Sequence, residues 1–194
     1  MDLFLFSVLG YLMGSIPTAL LIGQKYFNKD IRKEGSGNMG GTNAGRVLGR
    51  QTGIIVSVLD ILKVFIPALL ARIYLGVDEC TIVGLAAMLG HAFPIFAGFK
   101  GGKCVSSYMG IGIILNPYIA AGIFVLWFSL RYATNYVSLA SIISCIVASA
   151  VIFILYGFRP ASYIMFAAAL LVIYLHRANI KRLIDGTENK VRKK

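Results

Sequence analysis

Carboxylates are scarce in this chain: eight Asp and Glu stand against nineteen Lys and Arg in 194 residues, with only two His. No cluster of carboxylates and histidines with metal-ligand spacing can be assembled from so few, so no catalytic metal site is legible. The three cysteines, Cys80, Cys104 and Cys145, lack metal or redox spacing, and an odd number argues against a disulfide framework. They read as small apolar residues. A G-x-S-x-G nucleophile elbow is absent, which removes that serine-hydrolase class. Charge of any sign makes up only 14% of the chain, against 58% hydrophobic residues and a mean hydropathy of +0.78. That balance excludes a soluble domain of this size. The formal net charge of +11 does not indicate nucleic acid, because the basic residues collect in a few short loops and the C-terminal tail. The expected partner is a lipid bilayer, with no metal, cofactor or nucleic acid.

What the chain does have is apolar runs, at about 3–23, 53–75, 81–99, 105–130, 137–158 and 161–175. Most approach the roughly 20 helical residues that a hydrocarbon core demands. The first has no basic flank before it and contains Gly14, Ser15 and Pro17, so it reads as a retained helix, not a cleaved signal. Lys25 to Arg50, Lys100 with Lys103, and the tail from Arg177 to Lys194 hold most of the basic residues, which assigns them to the cytoplasm; Asp78 and Glu79 go to the other face with the N-terminus. Six crossings would leave the basic tail outside. Dividing 105–130 at Asn116-Pro117, where proline breaks the helix ladder, gives seven. Five crossings, with 137–175 bent or re-entrant, satisfy the same parity. Gly157 to Pro160 is a turn signal that favours seven. The expected fold is an all-α integral membrane protein, a polytopic bundle of seven transmembrane helices. It is one domain over 1–194, ending in a basic cytoplasmic tail at 186–194, and its N-terminus lies outside. The sequence sets no oligomeric state.

Three polar segments interrupt the apolar pattern: GSGNMGGTNAGR at 35–46, GFKGGKCVSS at 98–107 and HRANIKRLIDGTE at 176–188. Successive glycines let backbone N–H groups approach an anion, so Gly37 with the amides and hydroxyls of Ser36, Asn38, Thr42 and Asn43 forms a candidate nest. Arg46 brings a planar fork suited to phosphate, and Lys103 a compact point charge. The second segment fails the nucleotide P-loop spacing, since Gly98 lies too close to Lys103 and Cys104 follows the lysine. Gly101, Gly102 and Lys103 leading into an apolar helix still make a reasonable phosphate seat. In the third segment His176 and Asn179, three residues apart, share one helix face and are suited to proton transfer and to orienting a hydroxyl or carbonyl. Arg177, Lys181, Arg182 and Lys190 to Lys194 read as contacts to lipid headgroups.

Within the spans, Asp60 and Lys63 are spaced to neutralise each other, with Lys63 a secondary anion contact. His91 either reaches the second loop or caps a neighbouring carbonyl. Ser138 and Ser141 either face a cytoplasmic pocket or bond their own helix backbone. Gly14, Gly23, Gly110 and Gly112 read as close helix contacts.

The three segments, in this order, together with GSIPTALLIG at 14–23 and YVSLASI at 136–142, resemble the bacterial membrane acyl-phosphate:glycerol-3-phosphate acyltransferases (PlsY) over essentially the whole chain. The resemblance implies transfer of a fatty acyl group from acyl phosphate to the 1-hydroxyl of sn-glycerol 3-phosphate at the cytoplasmic face of the bacterial inner membrane. The products are lysophosphatidic acid and phosphate. It also implies roles for Ser36 and Arg46 in activity, for Gly101 and Gly102 in glycerol phosphate binding, and for His176 and Asn179 in the third motif, with Glu188 more structural. The chain departs from the family pattern in three places. Cys104 replaces a usual glycine in the second motif, Gly41 a common alanine in the first, and Ala178 a usual glutamate in the third. The rival reading is a transporter or flippase for a phosphorylated metabolite, but the polar residues gather at one face instead of the midplane, which favours the enzyme.

Overall fold

Runs without charge or water satisfy their backbone polar groups only by coiling on themselves, which makes helices the expected outcome. The computed structural model describes residues 2–191, and among them there are helices, turns and loops but no strand. Ten α-helices follow in order: α1 (Asp2–Gly14), α2 (Thr18–Phe27), α3 (Gly41–Val47), α4 (Arg50–Tyr74), α5 (Val77–Ala92), α6 (Val105–Leu115), α7 (Pro117–Thr134), α8 (Val137–Tyr156), α9 (Pro160–Leu175) and α10 (Arg177–Ile184). By length and composition four spans are long and apolar enough to cross a membrane, 2–27, 50–74, 77–97 and 137–156. A fifth appears if α9 and α10, bent by 59°, are taken together. α6 is shorter, eleven residues or about 16 Å at the usual helical rise.

The first apolar run is not one straight helix. α1 stops at Gly14 and α2 starts at Thr18, because Pro17 has no N–H to continue the ladder. At the break the Ile16 carbonyl accepts the Thr18 N–H at 3.0 Å, and Lys63 of α4 adds a 2.9 Å hydrogen bond from Nζ. Asp60 neutralises that lysine at 2.9 Å and also accepts from Thr18 Oγ1 at 2.6 Å. The Asp60–Lys63 pair therefore does more than cancel charge: it ties the α1–α2 break to α4.

Small residues set the helix spacing, as expected where lipid supplies no hydrophobic drive between helices. A Cβ on Gly14 would overlap the Ala87 carbonyl, and one on Gly90 the Tyr11 carbonyl, so α1 and α5 lie backbone to backbone. Gly110 serves α6 against α4, where a Cβ would come within 2.9 Å of the Ile61 carbonyl. A Cβ on Gly23 would come within 2.8 Å of the Lys29 carbonyl, while one on Gly112 would meet nothing within 4 Å.

Asn116 ends α6 and caps α7, accepting the N–H groups of Tyr118 and Ile119 at 3.1 Å each, with Pro117 at the first helical position. Asp78 accepts from the Ala161 N–H at 3.2 Å and faces Arg159 at 3.6 Å, and Tyr156 donates to the Leu115 carbonyl at 2.9 Å. These contacts close one end of the bundle. The three polar segments meet at the other.

The segment after α10 folds back toward α8: the Val191 N–H donates to the Asn135 carbonyl at 3.0 Å, and Lys190 lies 5.8 Å from the Tyr136 ring centre. Arg192, Lys193 and Lys194 lie outside the described residues.

Candidate active site

The first polar segment is a braced loop. Buried Asn43 accepts the Ser36 N–H at 2.8 Å and donates to the carbonyls of Ile31 and Glu34 at 3.3 and 3.0 Å. Both of its donor hydrogens are thereby spent on the loop. Gly35 and Gly37, at φ of +60° and +69°, make the turns that let the chain circle this amide. Asn38 Oδ1 takes the Gly40 N–H at 3.0 Å.

α3, which carries Thr42 and Arg46, lies directly on α4. A Cβ on Gly41 would overlap Ser57 Oγ and lie 2.6 Å from the Gly53 carbonyl, which gives a physical reason for glycine here in place of the family's common alanine. Gly41→Ala is expected to destabilise the protein by about 1–3 kcal/mol, the usual cost of overpacking. The backbone carbonyl cannot rotate away, so α3 must shift and carry Arg46 with it. A thermal-unfolding curve together with kcat/KM checks this; unchanged values for both would show that the two helices have slack.

The second segment turns through Gly98, Phe99 and Cys104, all at positive φ. Cys104, at φ +64° and ψ +11°, caps α6 in the left-handed region, where a side chain costs roughly 1–2 kcal/mol. That conformation explains a glycine at this position in the family pattern. Cysteine holds it here with a buried side chain whose Sγ lies 3.3 Å from the Met88 carbonyl.

In the third segment α9 ends at Leu175, and buried His176 occupies the bend before α10. Its Nδ1 faces the Val172 carbonyl at 2.8 Å; a carbonyl only accepts, so Nδ1 carries the proton and Nε2 is left as the acceptor. Burial, reinforced by the Lys103 charge, pushes the imidazole down to about 4 against the opposing pull of that hydrogen bond and of Glu188. The ring is neutral across physiological pH.

Glu188 is the node. One oxygen accepts from Ser138 Oγ at 2.8 Å and from Asn179 Nδ2 at 2.6 Å, the other from Arg182 Nε at 2.7 Å. Burial raises its pKa, but the three donors and the Arg182 charge outweigh that and hold it below the usual range. Asn179 turns its Oδ1 to Lys103 Nζ. Burial pushes Lys103 down to about 8; Glu188 resists, while Arg182 and Arg46 add to the fall.

These elements enclose a cavity of about 250 Å³. Ser36, Asn38, Thr42, Asn43, Arg46, Lys103, Ser138, Ser141, His176 and Asn179 all line it. Gly37, Gly101, Gly102 and Lys63 are not among its lining residues: Lys63 is spent on Asp60 and Ile16, and the paired glycines lie against the end of α5. Ser138 faces the cavity and Glu188, whereas Ser141 does both things expected of it, lining the cavity while donating to its own Val137 carbonyl at 2.8 Å and accepting from Trp127 Nε1 at 3.0 Å. Sequence reasoning missed Ser57, Asp60, His91 and Arg182 as wall residues. Arg182 could have been found: it sits six residues before the only glutamate of a basic segment and ion-pairs with it. Away from the polar mouth the wall turns apolar, with Met109, Ile123, Phe124, Trp127 and Cys145.

Fold and site together define a multi-pass helical membrane protein with a polar, cation-bearing cavity that opens onto an apolar wall. Residues 4–186 match the family model described as glycerol-3-phosphate acyltransferase. The glycerol-3-phosphate acyltransferase of Macrococcus caseolyticus is 43% identical over 98% of this chain and 98% of its own, and a glycerol-3-phosphate acyltransferase 2 of Bacillus cereus is 43% identical over 96% and 94%. Crystal structures of PlsY (YgiH), an integral membrane glycerol 3-phosphate acyltransferase, superpose closely. Its glycerol 3-phosphate form has a TM-score of 0.94 at 39% identity, covering 99% of this chain and 96% of that one. Its lysophosphatidic acid form has a TM-score of 0.90 at 38% identity, covering 98% and 95%. The chain belongs to the glycerol-3-phosphate acyltransferase family.

Proposed function

We propose that this protein transfers a fatty acyl group from acyl phosphate to the 1-hydroxyl of sn-glycerol 3-phosphate, giving lysophosphatidic acid and inorganic phosphate. The observation that carries the reading is the two-part cavity: Arg46, Lys103 and Arg182 at a polar mouth, beside an apolar wall between α6, α7 and α8. A phosphate needs the first part and an acyl chain the second. The crystallised relative in glycerol 3-phosphate and lysophosphatidic acid forms supports the same pair of ligands.

Acyl phosphate is already an activated mixed anhydride, so no covalent enzyme intermediate is required. Arg46 and Lys103 balance charge on the two phosphates, and Ser36 and Asn179 orient the hydroxyl and the carbonyl for direct attack. The C–O bond to glycerol forms as the acyl–phosphate bond breaks, and phosphate leaves. A neutral imidazole near 4 is a weak base, whereas a phosphate monoester with its second pKa at about 6 is stronger, so the proton goes to a substrate phosphate oxygen. The basic loops support a cytoplasmic location for this end of the bundle, at the bacterial inner membrane, with the N-terminus outside.

Purified protein given acyl phosphate and glycerol 3-phosphate should release phosphate only when both are present, and acyl-CoA or acyl carrier protein should not replace the donor. Activity with acyl-CoA would overturn the donor assignment. Uptake of glycerol 3-phosphate into vesicles without phosphate release would favour a transporter instead.

A further inference from the structure

Gly101 and Gly102 carry the second motif, yet they stand off the cavity wall. What they touch is the end of α5. The Gly102 N–H donates to the His91 carbonyl at 3.1 Å, which removes it from service to a ligand. A Cβ on Gly102 would overlap His91 Nε2 and lie 2.7 Å from Cε1 and 3.0 Å from Cδ2, so its three nearest atoms all belong to one imidazole. The backbone of Gly102 is not left-handed. Glycine is required there by the ring and not by φ. Gly101 differs, because its Cβ would overlap the backbone carbonyls of His91 and Ala92.

The ring itself is fixed from behind. His91 Nδ1 lies 3.5 Å from Asp60 Oδ1, the same oxygen that takes Thr18 Oγ1 and faces Lys63 Nζ. Asp60 and His91 are buried, at 1% and 5% exposure, so neither has solvent in which to swing. The residue after Gly102 is Lys103, whose ammonium reaches Asn179.

We propose that His91 is a positioning residue for Lys103: its imidazole, braced by Asp60, is the plate on which Gly102 lies. On this account the paired glycines seat the second loop on α5 instead of baring N–H groups to a phosphate. The proposal rests on the acyltransferase reading for its kinetic readout.

The test is a double-mutant cycle with an internal control. Gly102→Ala should lower kcat/KM for glycerol 3-phosphate at least about tenfold, through a raised KM more than a lowered kcat, because it displaces a binding cation. His91→Ala leaves Asp60 paired with Lys63 and Thr18, and it opens the space that the new Cβ needs. In that background Gly102→Ala should cost less than about twofold, whereas Gly101→Ala, which meets backbone, should keep its full cost. Should His91→Ala fail to fold, His91→Ser, which keeps a hydroxyl toward Asp60, serves the same cycle. An equal cost of Gly102→Ala in both backgrounds overturns the plate, as does rescue of Gly101→Ala alongside it. A wild-type protein with no acyl transfer sinks the functional reading alone. The same cycle read as Tm, where Gly102→Ala should destabilise only opposite the imidazole, then decides the role of His91.

Discussion

Arg46→Ala is expected to reduce kcat/KM about a hundredfold to a thousandfold, the scale seen when a preorganised charge contact to a reacting group is removed. Three cations line the cavity, and two are committed: Arg182 to Glu188 at 2.7 Å, and Lys103 to Asn179. Arg46 is exposed and has no hydrogen-bond or ion-pair acceptor among the described residues, so a ligand phosphate is its first full neutralisation. The glycine contact between α3 and α4 fixes its backbone. Arg46→Lys should recover little, since a point charge lacks the two-pronged fork. Because the guanidinium holds no other element, stability should change by less than about 0.5 kcal/mol. Activity within a few-fold of wild type, with Tm unchanged, would mean that the phosphate is gripped elsewhere.

The second large effect is a pH dependence. Burial lowers the Lys103 pKa from its ordinary value to about 8. The protonated form is the cation, so charge is present below that value and is lost as pH rises through it. kcat/KM should therefore fall on the alkaline side of about pH 8 in the free enzyme. In Lys103→Arg the guanidinium stays charged, and the alkaline limb should vanish even though the rate is lower throughout. Persistence of the limb in that variant would assign it to another group. His176, at about 4, is neutral on both sides of this limb and contributes nothing to it.

Much of this architecture was legible before the fold was known. The helix break at Asn116-Pro117 follows from proline chemistry, and the cavity draws its charged mouth from the three polar segments that composition singles out. What the sequence hid was every relation that depends on which helix faces which. The sequence left His91 open between reaching the second loop and capping a carbonyl; the structure places its ring against Gly102, because the turn that returns the chain runs through left-handed Gly98 and Phe99. Asn43 looked like a ligand group, since an amide in a glycine-rich loop suits an anion, yet its geometry makes it the loop's internal strut. Spacing paired Lys63 with Asp60, as the structure has it, but could not show the Ile16 carbonyl at the α1–α2 break that takes the ammonium's other hydrogen bond in place of an anion. Gly41 and Gly53 set a contact distance between α3 and α4 that no local pattern announces.

The Glu188 node also constrains the order in which the cavity comes into being. The ribosome makes Ser138, Asn179 and Arg182 before it makes the carboxylate that all three donate to. Until residue 188 emerges and folds back, the Ser138 hydroxyl and the Asn179 Nδ2 group lack the acceptor they share, and Lys103 lacks the nearby anion that favours its charge. A nascent chain halted before that point would hold its apolar helices in the bilayer with an unfinished mouth. Acyl transfer should therefore appear only once residue 188 has been made and has folded back.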